Sequence, residues 1–359
     1  MSAPRILLAG GGTAGHVSPL LATAAALQDR SPDAELVVLG TSAGLEADLV
    51  PAAGLELTTI EKVPFPRRPN GAAVRFPVRF TRTITQVRRL LGEREIDVVV
   101  GFGGYVCPPA YLAAGSRRIP LVVHEANRRP GLANRLGARR ARAVLTAFPD
   151  TPLPRARRIG MPMRDGIAHL DRAAHRTEAV AAYGLDPERP VVLVTGGSLG
   201  AQRLNDAFAA AADDILDAGG QVLHVTGRGK ADVPERDGYR VLEYVSAMED
   251  AYAAADLAVT RSGAGTVSEV TAVGLPAVFV PLPIGNGEQA LNGHEVVAAG
   301  GARMIPDAQL DAETVRSQIL PLLLDAPARE RMAEASRRFG ITDAAATLAD
   351  IVTGAARGA

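Results

Sequence analysis

A glycine-rich segment near the beginning of the chain ends in a histidine that could act as a general base. Residues 10–16 read GGGTAGH; they follow the apolar run 6–9 and precede the helix-forming run 20–27. A glycine turn between a strand and a helix presents backbone N–H groups at the positive helix end, where phosphates bind. The imidazole of His16 has an ordinary pKa near neutrality and can accept a proton. The segment indicates a phosphate site with His16 as base, or a turn without a ligand in which His16 only bonds the helix start.

The spacing GxGxxG at residues 10–15 also matches the dinucleotide-binding fingerprint. A nicotinamide domain needs an acidic residue at the end of its second strand to bind the ribose hydroxyls. The second predicted strand, 36–39, is followed by Gly-Thr-Ser, and Glu46 and Asp48 come only later. We therefore expect another phosphate-bearing ligand and no nicotinamide cofactor.

Two further glycine-rich segments follow predicted strands. They are GGSLG at 196–200 and RSGAGTVSE at 261–269. Ligands bind at the carboxyl ends of strands in open α/β sheets. Together the glycine-rich strand ends predict a site for a nucleotide diphosphate, with Glu269 accepting hydrogen bonds from ribose hydroxyls.

Two generic alternatives apply to the same segments. GGSLG matches the nucleophile elbow of α/β hydrolases, with Ser198 as nucleophile and His224 or His294 as the triad histidine, although the elbow would here open a domain. Thr266-x-x-Glu269 matches a helix capping box.

The segment HEAN at 124–127 begins like a zinc-protease helix but lacks the second histidine. It follows the predicted strand 121–123, so it also lies at a strand's carboxyl end. His169 and His175 lie in a polar stretch and are expected at the surface. No other Cys/His spacing indicates a metal site, so we expect neither a metal nor a cofactor.

Composition limits the class of protein. The chain has 359 residues, 47% of them hydrophobic, and one cysteine, Cys107, which rules out an intramolecular disulfide and fits a reducing compartment. Neither a signal peptide nor an apolar run of about 18 residues is visible, which predicts a cytoplasmic protein without a spanning helix. Aromatic residues make up 4% and tryptophan is absent, so base stacking is disfavoured and no nucleic-acid partner is expected.

Short continuous apolar runs alternate with longer helical stretches, which is typical of strands buried on both faces of parallel sheets. We predict an α/β fold of two doubly wound, parallel-sheet domains, 1–160 and 161–336. A helix is predicted over 328–349, and the C-terminal segment 337–359 is expected to join the first domain. The predicted strands are 6–9, 36–39, 98–100, 121–123, 144–145, 191–194, 222–225, 241–242, 257–259 and 277–280.

The two halves of the chain carry opposite net charges. Residues 1–160 carry 22 Lys+Arg and 12 Asp+Glu, a net +10, and the remainder carries 17 and 27, a net −10. Within the basic half, residues 75–91 place an apolar stripe at helical spacing among arginines, formed by Phe76, Phe80, Ile84, Val87 and Leu91. The stripe predicts a helix that lies on an anionic membrane surface through Phe76, Arg79 and Phe80. The alternative is a helix that packs the stripe on its own sheet.

Taken together, the segments resemble the MurG family of peptidoglycan N-acetylglucosaminyltransferases (glycosyltransferase family 28) over essentially the whole chain. The order and spacing of the matching segments make the resemblance specific. They are GGGTAGHVSP at 10–19, EADLVP at 46–51, DVVVGFGGYVCPPAYLAA at 97–114, HEANRRPGLANR at 124–135, GGSLGAQRLN at 196–205, RSGAGTVSEVTAVGLPAVFVP at 261–281 and GEQALNG at 287–293.

The resemblance implies a GT-B architecture of two Rossmann-like domains facing a cleft. The implied reaction moves N-acetylglucosamine from UDP-N-acetylglucosamine to the C4 hydroxyl of the muramoyl sugar in undecaprenyl-linked lipid I, giving lipid II with inversion at the anomeric carbon. No metal is implied as essential. The implied location is the cytoplasmic face of the cell membrane, as a peripheral protein, with other cell-wall enzymes as candidate partners.

The resemblance also implies site residues. His16 would be the base, with Glu125 as the alternative, and Gly103, Gly104 and Tyr105 would bind the acceptor's pyrophosphate. The donor site would comprise Thr13, Ala14, Gly15, Asn127, Arg164, Ser198, Val245, Ala264, Gly265, Thr266, Glu269 and Gln289. The chain departs from the family pattern where relatives often have Gly, Asn and Leu, namely at Ala14, Met161 and Gly265. The alternatives are a UDP-N-acetylglucosamine 2-epimerase, a GT-B transferase with a soluble acceptor, an NAD-dependent oxidoreductase and a nucleotide-sugar sensor without catalytic activity.

Overall fold

The computed structural model describes residues 3–66, 71–197, 200–230, 233, 235–283 and 287–358. The chain forms two compact units: unit 1 comprises Met1–Arg164 and Asp343–Ala359, and unit 2 comprises Asp165–Thr342. The unit boundaries thus lie a few residues beyond the positions 160 and 336 that we predicted.

Unit 1 begins with alternating strands and helices. They are β1 (Arg5–Gly10), α1 (Ala14–Arg30), β2 (Glu35–Gly40), α2 (Glu46–Ala52), β3 (Glu56–Thr59), α3 (Gly71–Glu93), β4 (Val98–Gly103), α4 (Cys107–Arg117), β5 (Leu121–Glu125), α5 (Leu132–Ala138), β6 (Ala143–Thr146) and β7 (Ala156–Arg158). The strands of the described part of this unit form a parallel sheet in the order β3-β2-β1-β4-β5-β6-β7.

Unit 2 repeats the alternation, and the last helix of the chain returns to unit 1. The elements are α6 (Asp165–Ala168), α7 (Arg172–Ala182), β8 (Val191–Thr195), α8 (Gln202–Ala210), α9 (Ala212–Asp217), β9 (Gln221–Val225), β10 (Tyr239–Leu242), α10 (Met248–Ala254), β11 (Leu257–Thr260), α11 (Ala264–Ala272), β12 (Ala277–Phe279), α12 (Glu288–Ala298), β13 (Ala302–Met304), α13 (Ala312–Thr314), α14 (Leu320–Leu324), α15 (Ala326–Arg337) and α16 (Ala344–Arg357). The described strands of unit 2 are also parallel, in the order β10-β9-β8-β11-β12-β13.

Helices cover both faces of the unit 1 sheet. On one face, α3 contributes Val87 and Leu91 to a buried cluster with α4. On the other face, α1 and α16 pack together, with Leu20 and Leu348 fully buried. Burying a side chain of this size contributes roughly 1.5–3 kcal/mol relative to leaving it exposed. The apolar runs therefore form strands because both faces of the sheet are covered.

The order of the strands predicts where ligands bind. In unit 1 the chain passes from β1 to β2 on one side and to β4 on the other, and in unit 2 β8 is flanked in the same way by β9 and β11. Such reversals open a crevice at the carboxyl ends of the strands, where α/β proteins bind ligands. The glycine-rich segments that follow β1, β4, β8 and β11 lie at these two positions.

The helix predicted over 328–349 is wrong as one continuous element. It consists of α15 and α16, separated by residues 338–343. Gly340 lies in the break, where an added Cβ would be 2.8 Å from the Cα of Ala272. This close approach of two backbones favours an interruption of the helix.

Candidate functional site

The turn between β1 and α1 is hydrogen-bonded to a buried carboxylate, that of Glu46. Gly12 has a φ of 89°, a conformation that glycine adopts without strain. Its N–H donates to Glu46 Oε2 at 2.8 Å, and the other carboxylate oxygen accepts from Thr41. The turn is therefore fixed before any ligand binds.

His16 lies in the first turn of α1 and is half-buried. Its Nδ1 is 3.1 Å from the carbonyl oxygen of Gly11 and 3.2 Å from Thr13 Oγ1. A carbonyl only accepts hydrogen bonds, so we assign the proton to Nδ1, which leaves the lone pair on Nε2. Burial lowers the pKa of His16 below 6.5, although the bond to Gly11 and the charge of Glu46 oppose this. A neutral imidazole with a free Nε2 can act as a base at pH 7.

The turn after β4 lies directly against His16. An added Cβ on Gly103 would be 2.8 Å from His16 Nε2, and one on Gly104 would be 2.5 Å from the carbonyl oxygen of Gly11. Both glycines have positive φ, 111° and 88°. Tyr105 is exposed, with the amine of Lys62 5.1 Å from its ring centre. The structure thus brings His16 and the predicted pyrophosphate loop together.

The segment after β5 is built around Glu125, which is buried. Its carboxylate accepts from the N–H groups of Asn127 and Gly131 at 2.9 and 3.0 Å, and from Asn134 Nδ2 at 3.0 Å. Burial raises its pKa, and these bonds oppose the shift. Glu125 therefore shapes the turn that carries Asn127, and its oxygens are engaged.

His124 is fully buried beside the same turn. Its Nε2 donates to the carbonyl of Gly160 at 2.9 Å, and burial lowers its pKa to about 4. It is a neutral core side chain.

In unit 2, the turn after β8 is tight. An added Cβ on Gly196 would be 2.3 Å from the N atom of Ala201, and one on Gly200 would be 2.1 Å from the carbonyl oxygen of Thr226. The N–H of Gly197 donates to Thr195 Oγ1 at 3.2 Å. Ser198, which we predicted as a donor-binding residue, lies outside the described residues.

The two histidines considered for the hydrolase triad lie in different environments. His224 is fully buried, with Nδ1 2.9 Å from the hydroxyl of Tyr239 and Nε2 3.1 Å from Asn205 Oδ1. His294 is exposed on α12. His224 is unsuited to a triad because both of its ring nitrogens contact core side chains.

The segment after β11 begins helix α11. Its N-cap is Gly263, without a side-chain cap, so the capping box predicted for Thr266 and Glu269 is wrong. Ala264 is buried, and Gly265 and Thr266 are half-buried in the first turn. One oxygen of Glu269 accepts from the hydroxyl of Tyr252 at 2.7 Å. The first turn of α11 and a carboxylate oriented by Tyr252 thus follow β11, the strand that pairs with β8, and the start of a helix can bind a phosphate.

Two other predicted donor residues lie near the same sheet edge of unit 2. Val245 is buried shortly after β10. Gln289 lies in the first turn of α12 and accepts from the N–H of Leu282 at 2.9 Å. Arg164 is exposed at the end of the first part of unit 1, away from the β1 and β4 turns in sequence.

The apolar stripe on α3 differs in burial along the helix. Its C-terminal part, Val87 and Leu91, packs in the unit 1 core. Its N-terminal part is half-buried: Phe76 stacks on Phe80 at 5.1 Å between ring centres, and both contact Phe65. Among the described residues no helix is both long and apolar enough to cross a membrane.

Two apolar residues of α3 that do not belong to the predicted stripe are largely exposed. Val74 is 79% exposed and Val78 is 74% exposed. Arg79, predicted as a membrane contact, pairs with Glu61 at 2.8 Å.

Sequence reasoning missed two residues that orient the site. Glu46 was considered only as a ribose ligand, and Tyr252 was not considered. The available signal for Glu46 was a glutamate at the first position of the short helix α2, five residues after Thr41. Tyr252 lies inside α10, and we find no sequence signal for its contact with Glu269.

Two protein-family models match the chain. The glycosyltransferase family 28 N-terminal domain matches residues 6–146, and the glycosyltransferase family 28 C-terminal domain matches residues 191–348.

Relatives of known name match almost the whole chain. The UDP-N-acetylglucosamine–N-acetylmuramyl-(pentapeptide) pyrophosphoryl-undecaprenol N-acetylglucosamine transferase of Paenarthrobacter aurescens (strain TC1) is 54% identical over 97% of this chain and 95% of its own. The protein of the same name from Clavibacter sepedonicus is 56% identical over 96% and 95%. The crystal structure of Acinetobacter baumannii MurG matches with a TM-score of 0.80 at 28% identity, covering 98% of this chain and 99% of that one. The predicted fold class, two parallel-sheet α/β domains of the GT-B kind, is confirmed.

Proposed function

The chain belongs to glycosyltransferase family 28, and we propose that it transfers N-acetylglucosamine from UDP-N-acetylglucosamine to the C4 hydroxyl of the muramoyl sugar of lipid I. The product is lipid II, which serves peptidoglycan synthesis. The observation that carries this conclusion is the 54% identity, over 97% of the chain, to a relative named for this transfer. That name favours the transferase over an epimerase, an oxidoreductase or a sensor.

We propose that His16 is the base. The acceptor's C4 oxygen attacks the anomeric carbon of N-acetylglucosamine, and its proton passes to His16 Nε2. The bond from the anomeric carbon to the β-phosphate oxygen breaks, and UDP leaves with the electron pair. Attack from the face opposite UDP inverts the anomeric configuration. Glu125 is the weaker candidate because its carboxylate already accepts three hydrogen bonds.

We propose that unit 2 binds the donor. The nine-residue helix α11 begins at Ala264, so the N–H groups of Ala264, Gly265 and Thr266 have no acceptor within the helix, and such groups stabilise the charge that develops on a departing phosphate. Glu269 would accept from the ribose hydroxyls. Ser198, Val245 and Gln289 complete the proposed donor residues of unit 2. The donor residues predicted in unit 1 are Thr13, Ala14, Gly15, Asn127 and Arg164.

The turn after β4 would bind the acceptor's pyrophosphate. Gly103 and Gly104 both have positive φ and carry no side chain, so an anion could approach their backbone closely, although the N–H of Gly103 itself donates to Cys107 Sγ at 3.2 Å. Tyr105 and the nearby Lys62 amine add a polar rim, and His16 Nε2 lies beside the same turn.

The function is tested by measuring UDP release from UDP-N-acetylglucosamine with and without a soluble-tailed lipid I analogue. We expect release only with the analogue, together with a disaccharide product. UDP release without acceptor would indicate an epimerase or hydrolase, and equal turnover with a lipid-free sugar would indicate a soluble acceptor.

Replacement of Glu269 by Ala tests the donor site. We expect UDP to bind about 10- to 100-fold more weakly, since hydrogen bonds to a charged group contribute roughly 1.5–3 kcal/mol. Titration calorimetry with UDP and with 2′,3′-dideoxy-UDP measures this, and the dideoxy analogue should bind both proteins equally. Glu330→Ala, at an exposed position on α15, is the control. A similar loss for both ligands would contradict the ribose contact.

We further propose that unit 1 attaches peripherally to the cytoplasmic face of the membrane through the N-terminal half of α3. Three observations support this. Residues 1–160 carry a net charge of +10, Val74 and Val78 are largely exposed, and the exposed arginines Arg75 and Arg82 lie on the same helix. Cations near an anionic surface contribute about 1 kcal/mol each.

Replacement of Val74 and Val78 by Ser tests the membrane surface. We expect the double variant to bind phosphatidylglycerol-containing vesicles about 10-fold less, because two apolar side chains no longer enter the interface. Co-sedimentation measures binding, and UDP affinity should not change. Leu324→Ser, an exposed apolar position in unit 2, is the control. Unchanged sedimentation of the valine variant would assign attachment to another surface.

A further inference from the structure

A fully buried carboxylate, that of Glu46, lies behind the turn that carries His16, and the reaction as proposed does not use it. Oε1 accepts from the N–H and hydroxyl of Thr41 at 2.9 and 2.7 Å, and Oε2 accepts from the N–H of Gly12 at 2.8 Å. Burial acts to raise the pKa of Glu46, but these hydrogen bonds outweigh it and hold the pKa below its usual value. Glu46 is therefore an anion at neutral pH.

The Glu46 carboxylate and His16 bond to opposite ends of one peptide group. The N–H of Gly12 and the C=O of Gly11 belong to the same amide. The N–H donates to Glu46, and the carbonyl accepts from His16 Nδ1. In a hydrogen-bonded chain each bond polarises the next. A carboxylate that accepts from the N–H increases the negative charge on the carbonyl oxygen. The hydrogen bond from His16 Nδ1 to that oxygen is therefore stronger.

Three glycines leave space for this carboxylate. An added Cβ would lie 2.4 Å from the Glu46 side chain at Gly11, 2.6 Å at Gly40 and 2.1 Å at Gly44. Side chains larger than hydrogen at these positions would displace the carboxylate from the Gly12 N–H. The local sequence is thus fitted to a carboxylate at this depth.

We propose that Glu46 is a positioning residue that acts on His16 through the Gly11–Gly12 peptide, fixing the tautomer with its proton on Nδ1 and Nε2 free to accept the substrate proton. This proposal rests on the proposed role of His16 as the base. The logic is that of a carboxylate that orients a catalytic imidazole, with a peptide group inserted between the two.

The tautomer can be measured directly. The chain has six histidines, so ¹⁵N-histidine labelling gives few signals, and His16→Gln identifies the one from His16. We expect wild-type His16 to carry its proton on Nδ1 at pH 7. In Glu46→Gln we expect a mixture of tautomers, and kcat about 10- to 100-fold lower with KM for UDP-N-acetylglucosamine within about twofold, which is the usual size of a loss of a partner that orients a functional group.

The control is Thr41→Val, which removes the hydroxyl donor to the opposite oxygen and leaves the Gly12 contact intact. We expect it to lower stability but to retain the tautomer and kcat within about twofold. If Glu46→Gln does not fold, Glu46→Asp replaces it. The shorter side chain keeps the charge but places the carboxylate farther from the Gly12 N–H, so we expect the same shift in tautomer and kcat.

Three results would overturn the proposal: a proton on Nε2 in the wild type, a Glu46 variant with wild-type tautomer and kcat, or an equal loss of kcat in Thr41→Val. Failure of the proposed base is distinguishable, because it would show as full activity in His16→Gln, and failure of the proposed transfer would show as wild-type UDP release that does not depend on the lipid I analogue.

Discussion

Replacement of His16 by Ala is expected to lower kcat by about 10²–10⁴-fold, because the acceptor hydroxyl loses the group that takes its proton. His16→Gln is the sharper variant. Glutamine can still donate to the carbonyl of Gly11, so it preserves the bond that His16 makes at the start of the helix, but it does not accept a proton near neutral pH. UDP release with a lipid I analogue measures kcat, and calorimetry measures UDP binding.

The pH dependence provides a second readout of the same prediction. Because burial lowers the pKa of His16 below 6.5, the imidazole is neutral at pH 7, and kcat/KM should fall only as the pH decreases through that lowered value. This decrease of kcat/KM at low pH should be absent from the residual activity of His16→Gln. His169→Ala, at an exposed position, should behave as wild type. Wild-type activity in His16→Gln would exclude His16 as the base.

Replacement of Gly103 by Ala is expected to lower kcat by about 100-fold or more while UDP binding is retained. The added methyl group would lie 2.8 Å from His16 Nε2 and would occupy the space from which an acceptor hydroxyl approaches. Misplacement of reacting groups by about 1 Å can cost 10²-fold in rate. The same turnover assay and calorimetry measure the two quantities.

Backbone strain is separated from this blocking effect by Gly54→Ala. Gly103 has a φ of 111° and Gly54 a φ of 72°, so both substitutions place a side chain in the left-handed region, which costs of order 1–3 kcal/mol. An added Cβ on Gly54 meets no atom within 4 Å. We expect both variants to melt at lower temperature and only Gly103→Ala to lose turnover. Equal turnover in the two would refute the blocking argument.

Buried strands were predictable because burial on both faces leaves a continuous apolar run. The run 6–9 became β1, and 191–194 became β8. Strands β3, β7 and β13 were missed. Each lies at the edge of its sheet and mixes charged or polar residues with few apolar ones, as in ELTT at 56–59, because an edge strand is covered on fewer sides.

The glycine turns of the site were predictable for a similar reason, since a backbone that must adopt positive φ or approach another chain closely needs glycine locally. The contacts that hold these turns and orient the site were not predictable. Glu46 meets Gly12 across 34 positions of sequence, and Tyr252 reaches Glu269 from another helix. Such contacts depend on the tertiary fold, which local patterns do not contain.

The stripe on α3 shows the limit of periodicity. Helical spacing identified one apolar face correctly, but Val87 is buried in the core whereas Phe76 and Phe80 are half-buried in a cluster with Phe65. The exposed residues Val74 and Val78 lie outside the stripe. Periodicity gives the side of a helix, and only packing decides which part of that side is covered.

The return of α16 to unit 1 has a consequence for synthesis on the ribosome. Unit 2 is one continuous stretch, Asp165–Thr342, so all its strands are synthesised before α16. Unit 1 lacks Leu348 and Val352, which complete one face of its core against α1, until the final segment appears. Domains generally fold as units during translation. The domain translated second is therefore expected to finish folding first, and the nascent first domain exposes an apolar face throughout that interval, when chaperones would bind it.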